Sequence, residues 1–211
     1  MLDSTMLDGF AAEVLVINAS VAINLLGTGS PADLLRMVNR RVLIDEMALK
    51  ELISDPFHKL SGREAIGALV DSGLIFPVRL SAAAFEVFLD LTGATSPDDL
   101  GDGEAATIAQ SFDLGAVPVI DERKATRISL QLRPEHPILH TIDILACSEV
   151  TEALSLHELA DLLFAALFHA RMRVPIACQD WVCAVIGPER ARLSSEPRLC
   201  QRFWWPVSVS M

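Results

Sequence analysis

Basic residues are scarce in this 211-residue chain: 17 Lys and Arg stand against 28 Asp and Glu, a formal net charge of −11. That balance excludes a protein that coats nucleic acid by neutralising many phosphates. It leaves room for one that grips nucleic acid locally through a metal ion and a few arginines, and it suits acidic groups that converge on a cation. Cysteines are few as well. Cys147, Cys178, Cys183 and Cys200 follow neither a disulfide framework nor a zinc-ligand spacing, so reduced thiols and a cytoplasmic setting are expected. A composition 51% hydrophobic, with mean hydropathy +0.39, raises the question of a membrane segment. The most apolar stretch, LADLLFAALFHA (159–170), answers it: Asp161 and His169 interrupt it, and it falls short of the ~20 residues a span needs. The N-terminal MLDSTMLDGF carries acids and no basic stretch, so no secretory signal is expected.

What is present is an alternation of element types. EVLVI (13–17) predicts a buried strand ending at Asn18, followed by a short helix that stops at Gly27-Thr28-Gly29. Ser30 and Pro31 open a helix over ADLLRMV, as N-cap and first turn. RVLI (41–44) predicts a second strand and DEMALKELI (45–53) a helix. Ser61 caps another helix through Val70, and LIFPVRL (74–80) is extended, with Pro77 at an edge or bend. After the helix SAAAFEVFLDLT, the polar loop GATSPDDLGDG (93–103) feeds the helix EAATIAQSFDLG. AVPVI (116–120) is a strand ending at Asp121, and ERKATRISLQL is helical. A strand-like PILH precedes a helix from Thr141. This βα repetition predicts an α/β fold with a central, mostly parallel sheet flanked by helices.

The remainder predicts a helical C-terminal extension. LSLHELADLLFAALFHARMRV (154–174) reads as an amphipathic helix whose Leu156, Leu159, Leu163, Phe164, Leu167 and Phe168 pack on the sheet or dock helix-in-groove with a partner, and PIACQDWVCAVIG as a second helix. The expected organisation is an N-terminal tail (1–12), one domain (13–155) and an extension (156–211) packed on it. Trp204 and Trp205 are expected to be buried there or to form a homo-oligomer contact.

In an open parallel sheet, ligands bind beyond the carboxyl ends of the strands. Asn18, Asp121 and Glu104 stand at such places, Glu51 can point the same way, and Asp102, Glu122, Thr141 and Asp143 are neighbours in sequence. Clustered carboxylates repel unless compensated, and a hard divalent cation is the usual compensation. Such a cluster suits phosphodiester hydrolysis. The structural alternatives stand beside this: Glu104 and Glu122 favoured by helix dipoles, Asp121 as an N-cap, Asn18 bonding its own turn. Arg123, Lys124 and Arg127 are candidates for RNA phosphate contacts or a solvated helix face. Arg36, Arg40 and Arg41 carry the same ambiguity, and His136 and His140 read as hydrogen-bonded, not metal-bound.

The blocks VLVINASVAINLL, LGDGEAATIAQSFDLGAVPVIDERKATRISLQL and HTIDILACSEV resemble successive blocks of PIN-domain proteins, in the branch of short prokaryotic members related to toxin–antitoxin ribonucleases. The resemblance covers residues 13–155. It implies a PIN-like, metal-dependent ribonuclease in which Asn18, Glu51, Glu104 and Asp121 hold Mg²⁺ or Mn²⁺, with Glu51, Glu104 and Asp121 catalytic and Thr141 supporting. It implies RNA, single-stranded or structured, or an antitoxin-type regulatory protein as partner. The family has an aspartate where this chain has Asn18, and His140 replaces a usual glycine. An amide can ligate a cation but brings no charge and cannot act as a base. A catalytically degenerate PIN-fold binding or regulatory protein is therefore the second reading. A small α/β nucleotide- or phosphate-binding protein is the third, although no Walker-type loop or G-x-G-x-x-G follows a strand.

Overall fold

The computed structural model describes residues 13–54, 60–93, 99–194 and 199. Strand β1 (Val14–Ile17) is apolar throughout, and Leu15, Val16 and Ile17 are fully buried. A strand that is apolar on both faces needs cover on both, which an interior position in a parallel sheet provides. β1 accordingly lies inside a sheet of order β3-β2-β1-β4, with β2 at Arg41–Asp45, β3 at Ile75–Val78 and β4 at Val117–Val119. Every pairing is parallel, with Val16 opposite Leu43 on one side and Pro118 on the other. Pro77 and Pro118, which cannot donate to a ladder, fall in the two outer strands.

The helices are α1 (Ala19–Gly27), α2 (Pro31–Val38), α3 (Glu46–Ser54), α4 (Leu60–Asp71), α5 (Ala82–Thr92), α6 (Asp102–Leu114), α7 (Arg123–Leu132), α8 (Thr141–Leu145), α9 (Ser148–Ala153), α10 (Leu156–His169) and α11 (Gln179–Leu193). This is the α/β architecture the alternation predicts. Alternate strand residues Leu15, Ile17, Val42 and Ile44 join α1, α2, α10 and α11 in one core, while Val16 and Leu43 face the other side. There α5, α6 and α7 pack through Phe88, Ile108, Phe112 and Ile128. α6 is buried along most of its length because Ala105, Ala106 and Ala109 let neighbours approach closely.

All strands run one way, so their carboxyl ends share one edge. The chain builds β1, β2 and β3 outward on one side and then returns to place β4 on the other side of β1. The crevice at this reversal, between the ends of β1 and β4, is where such sheets bind ligands. Asn18 follows β1 there, and Asp121 and Glu122 follow β4.

Several expectations need correction. Asp45 ends β2 and does not begin a helix. α4 already runs at Leu60, so Ser61 is not its cap. Ser30 occupies the N-cap of α2 but makes no side-chain capping bond. PILH forms a single bridge, Leu139 to Val119, with Pro137 limiting anything longer. The helix expected over 154–174 is shorter. Ser155 caps it by accepting from the Glu158 N–H, it ends at His169, and Arg171 adopts the left-handed region at φ 55°. Leu159, Leu163 and Leu167 are buried in it, but Leu156 is 67% and Phe168 51% exposed, so the packed face is narrower than the sequence pattern suggests. α10 packs on α1, where a Cβ on Gly27 would stand 2.5 Å from Ala170 Cβ. Cys147 and Cys178 are free thiols, whereas Cys183 is disulfide-bonded, against the expectation of reduced cysteines throughout. No helix among the described residues is long and apolar enough to cross a membrane. The N-terminal tail, Trp204 and Trp205 lie outside the described residues.

Candidate functional site

Asn18 sits at the β1–α1 junction with φ −90° and ψ 179°, extended backbone that ends the strand and caps the helix. Its Oδ1 accepts from the Val21 N–H at 3.0 Å and from Ser20 Oγ at 3.0 Å. Its Nδ2 donates to Glu122 Oε2 at 2.8 Å. Both halves of the amide are used. An aspartate would cap the helix equally well, but it would set a second negative charge against Glu122.

Three carboxylates share a cavity of about 260 Å³ with Asn18: Glu51 from α3, Glu104 from the first turn of α6, and Glu122 from the loop after β4. Glu51 Oε1 accepts from the Gly103 N–H at 2.9 Å and thereby caps the start of α6. A Cβ on Gly103 would stand 2.3 Å from Glu51 Oε2, so glycine is what lets this carboxylate lie against the helix end. Glu104 Oε2 accepts from the Gly101 N–H at 3.2 Å. A carboxylate at a helix N-terminus is ordinarily favoured as the anion. Burial outweighs that here and, with repulsion from Glu122 and Glu51, raises the Glu104 carboxyl above its ordinary value. Lys124 acts against this but does not outweigh it.

Asp121 does not line this cavity. Its Oδ1 accepts from the Thr141 N–H at 2.8 Å, and its Oδ2 from Thr141 Oγ1 at 2.5 Å and Asn24 Nδ2 at 2.7 Å. The side chain is 7% exposed, and burial raises its carboxyl despite these donors. Consecutive residues of an extended segment point to opposite sides: Glu122 faces the Glu104 cavity, and Asp121 faces the other way. Sequence reasoning thus placed Glu122 only as a neighbour of Asp121 and missed Asn24, which donates to Asp121. The pair of adjacent acids after an apolar strand was the available signal. Thr141 bonds Asp121 and, like it, does not line the Glu104 cavity, and Asp102 is exposed on α6 and does not line it either.

Among the candidate phosphate-binding cations, Lys124 donates to the backbone oxygen of Asp99, which ties α7 to the loop before α6. Arg123 and Arg127 line a second cavity on the Asp121 side. The other basic group is consumed locally: Arg36 pairs with Asp33, Arg40 with Glu149, and Arg41 lies over the Phe76 ring. The histidines are hydrogen-bonded as expected, His136 to the Ala116 carbonyl and His140 to that of Ile120. Burial pushes the Cys178 thiol up to about 11, so it is no nucleophile near neutral pH.

Oxygen donors of this kind fit a hard divalent cation chemically, and repulsion of Glu104 by Glu122 and Glu51 is what such an ion would relieve. Among the described residues, however, no three Asp, Glu, His or Cys side chains stand close enough together to form a ready-made metal group. The carboxylates line the cavity without closing on a shared point. Comparison with protein-family models, curated proteins and solved structures returns no match for this chain.

Proposed function

We propose that the chain is a PIN-like, divalent-cation-dependent ribonuclease that hydrolyses a phosphodiester bond of single-stranded or structured RNA at the Asn18–Glu51–Glu104–Glu122 cavity. The observation that supports it is the convergence of three carboxylates from three elements on one cavity, at the reversal point of a parallel sheet. Mg²⁺ or Mn²⁺, held by Glu51, Glu104 and Glu122, would supply charge to polarise the scissile phosphate and lower the pKa of the attacking water. Glu104, in the first turn of α6 and lining the same cavity, is the residue assigned to take that water's proton. Asn18 orients Glu122 and neutralises none of its charge. Asp121 and Thr141 act beneath the site, holding the chain after β4 against α8.

An antitoxin-type regulatory partner and a cytoplasmic setting belong to the same reading, and the Cys183 disulfide runs against a reducing compartment. A degenerate PIN-fold binding protein is the second reading. It is favoured by the Asn18 amide, whose oxygen and nitrogen are both engaged within the protein.

The experiment is cleavage of single-stranded RNA with Mn²⁺ or EDTA, by the wild-type chain and by Asn18→Asp. Cleavage with Mn²⁺ and none in EDTA is expected, with the variant about tenfold faster or more because it adds a charged ligand. The same variant in EDTA should unfold more easily, by about 1 kcal/mol, from like charges at hydrogen-bond distance, and Mn²⁺ should reverse the loss. Activity confined to Asn18→Asp would favour the degenerate reading. No cleavage by either form, with no Mn²⁺ binding in calorimetry, would sink the nuclease reading.

A further inference from the structure

Behind the Asp121–Glu122 step lies a larger cavity, about 830 Å³, between α7 and the segment 173–176 that follows α10. We propose that it seats a nucleoside phosphate, with the phosphate on Arg123 and Arg173 and the base against Leu130, Pro175 and Ile176.

Charge is the first argument. In this acidic chain Arg36, Arg40, Arg79 and Arg190 are each paired with a carboxylate. Arg123 and Arg173 line the cavity from its two walls, and their guanidinium groups make no ion pair or hydrogen bond to a described residue. Guanidinium groups bind carboxylate and phosphate alike through two parallel hydrogen bonds; two of them facing one cavity suit the anion with the greater charge and three acceptor oxygens, which is phosphate. Asp121, the acid on the cavity floor, already accepts three hydrogen bonds from Thr141 and Asn24.

The apolar walls decide what carries the phosphate. Leu130 is 40% and Ile176 73% exposed, on opposite sides of the cavity, and a flat ring between them would cover both. A sugar phosphate would leave that surface wet. Thr126 Oγ1 donates to the Glu122 carbonyl and Gln131 Oε1 accepts from Arg127, which leaves the hydroxyl's lone pairs and the Gln131 NH2 for a base edge. The volume lies within the range of about 300–1,000 Å³ common to small-ligand sites.

The nucleotide can arrive free or as one residue of an RNA strand that continues toward Glu104. The strand-borne form rests on the nuclease reading above; the free form does not. The test measures binding of AMP by calorimetry and of single-stranded octa-adenylate by fluorescence anisotropy, both in EDTA. The proteins are wild type, Arg123→Ala/Arg173→Ala and Ile176→Asp, all altered at exposed side chains. The wild type should bind at least one probe, and the double variant should raise its Kd about tenfold or more. Binding of both probes assigns a free nucleotide, binding of the octamer alone assigns a strand, and weakening by Ile176→Asp supports the base contact. The proposal is overturned if neither probe binds, if the double variant binds as the wild type does, or if inorganic phosphate competes as well as AMP. Mn²⁺-dependent cleavage with no arginine-dependent binding would remove the nucleotide seat and leave the nuclease reading. Arginine-dependent binding with no cleavage would do the reverse.

Discussion

Asp121→Ala is expected to lower the unfolding free energy by about 3 kcal/mol, from the cost of stranding buried donors. The carboxylate is the acceptor for the Thr141 N–H, the Thr141 hydroxyl and the Asn24 amide. Thr141 is 0% and Asn24 5% exposed, so water cannot replace it at either, and Asn24 keeps only its longer, 3.3 Å bond to Thr141 Oγ1. Part of the loss is offset because removing a carboxylate relieves the burial that raises its pKa. The same offset makes Asp121→Asn milder, about 1 kcal/mol, since one amide oxygen still accepts from Thr141. Urea denaturation followed by circular dichroism measures both. A change below about 0.5 kcal/mol for Asp121→Ala, the range of ordinary surface substitutions, would remove Asp121 from its structural role. The consequence for function is direct. RNA cleavage lost in Asp121→Ala reports unfolding as readily as chemistry, and a residue of the Glu104 cavity is the informative one to change.

That reassignment shows what the sequence can and cannot carry. The sheet is legible because its strands are short, apolar and punctuated. VLVI ends on Asn18, RVLI is followed by Asp45, and Pro77 marks an edge strand. From those ends the carboxyl edge follows, and Asn18, Glu51 and Glu104 meet there. Which of Asp121 and Glu122 joins them is not legible. One step of extended backbone reverses the side chain, and the phase depends on how the loop leaves β4 toward α7. Asn24 escapes notice for a related reason. A single buried amide on an apolar helix has no periodic signature, and only the fold brings it 97 residues along the chain to Asp121. The C-terminal helix fails at its end because composition alone continues it: ARMRV remains helix-compatible, and the break comes from the left-handed Arg171 backbone.

Glu104→Gln is expected to separate catalysis from stability more sharply than any other substitution in the chain. Losing the group proposed to take the proton should slow Mn²⁺-dependent RNA cleavage by about 10²–10⁴-fold. The fold should gain, by about 1 kcal/mol at pH 7.5 without metal, as replacement of strained site residues commonly does. The sign follows from linkage. Glu104 has its folded pKa raised, first by burial, then by Glu122 and Glu51. Above that value the native state holds an anion at a cost the unfolded chain does not bear. As pH falls through it, the native state takes up the proton first, and the contribution of Glu104 to wild-type stability rises until the unfolded group titrates near its ordinary 4.5. Asp45, Asp121 and Asp143, also raised mainly by burial, push in the same direction in both proteins. The stability gap between variant and wild type should therefore narrow as pH falls toward 4.5. Mn²⁺ at pH 7.5 should reverse it, because a cation that binds only the folded wild type adds stability by mass action. Denaturation curves across this pH range, with and without Mn²⁺, read all three effects. A gap that ignores pH would mean the Glu104 carboxyl is not held above its ordinary value. A gap that ignores Mn²⁺ would mean the carboxylates do not hold a cation, and the Glu104 cavity would no longer be a candidate catalytic centre.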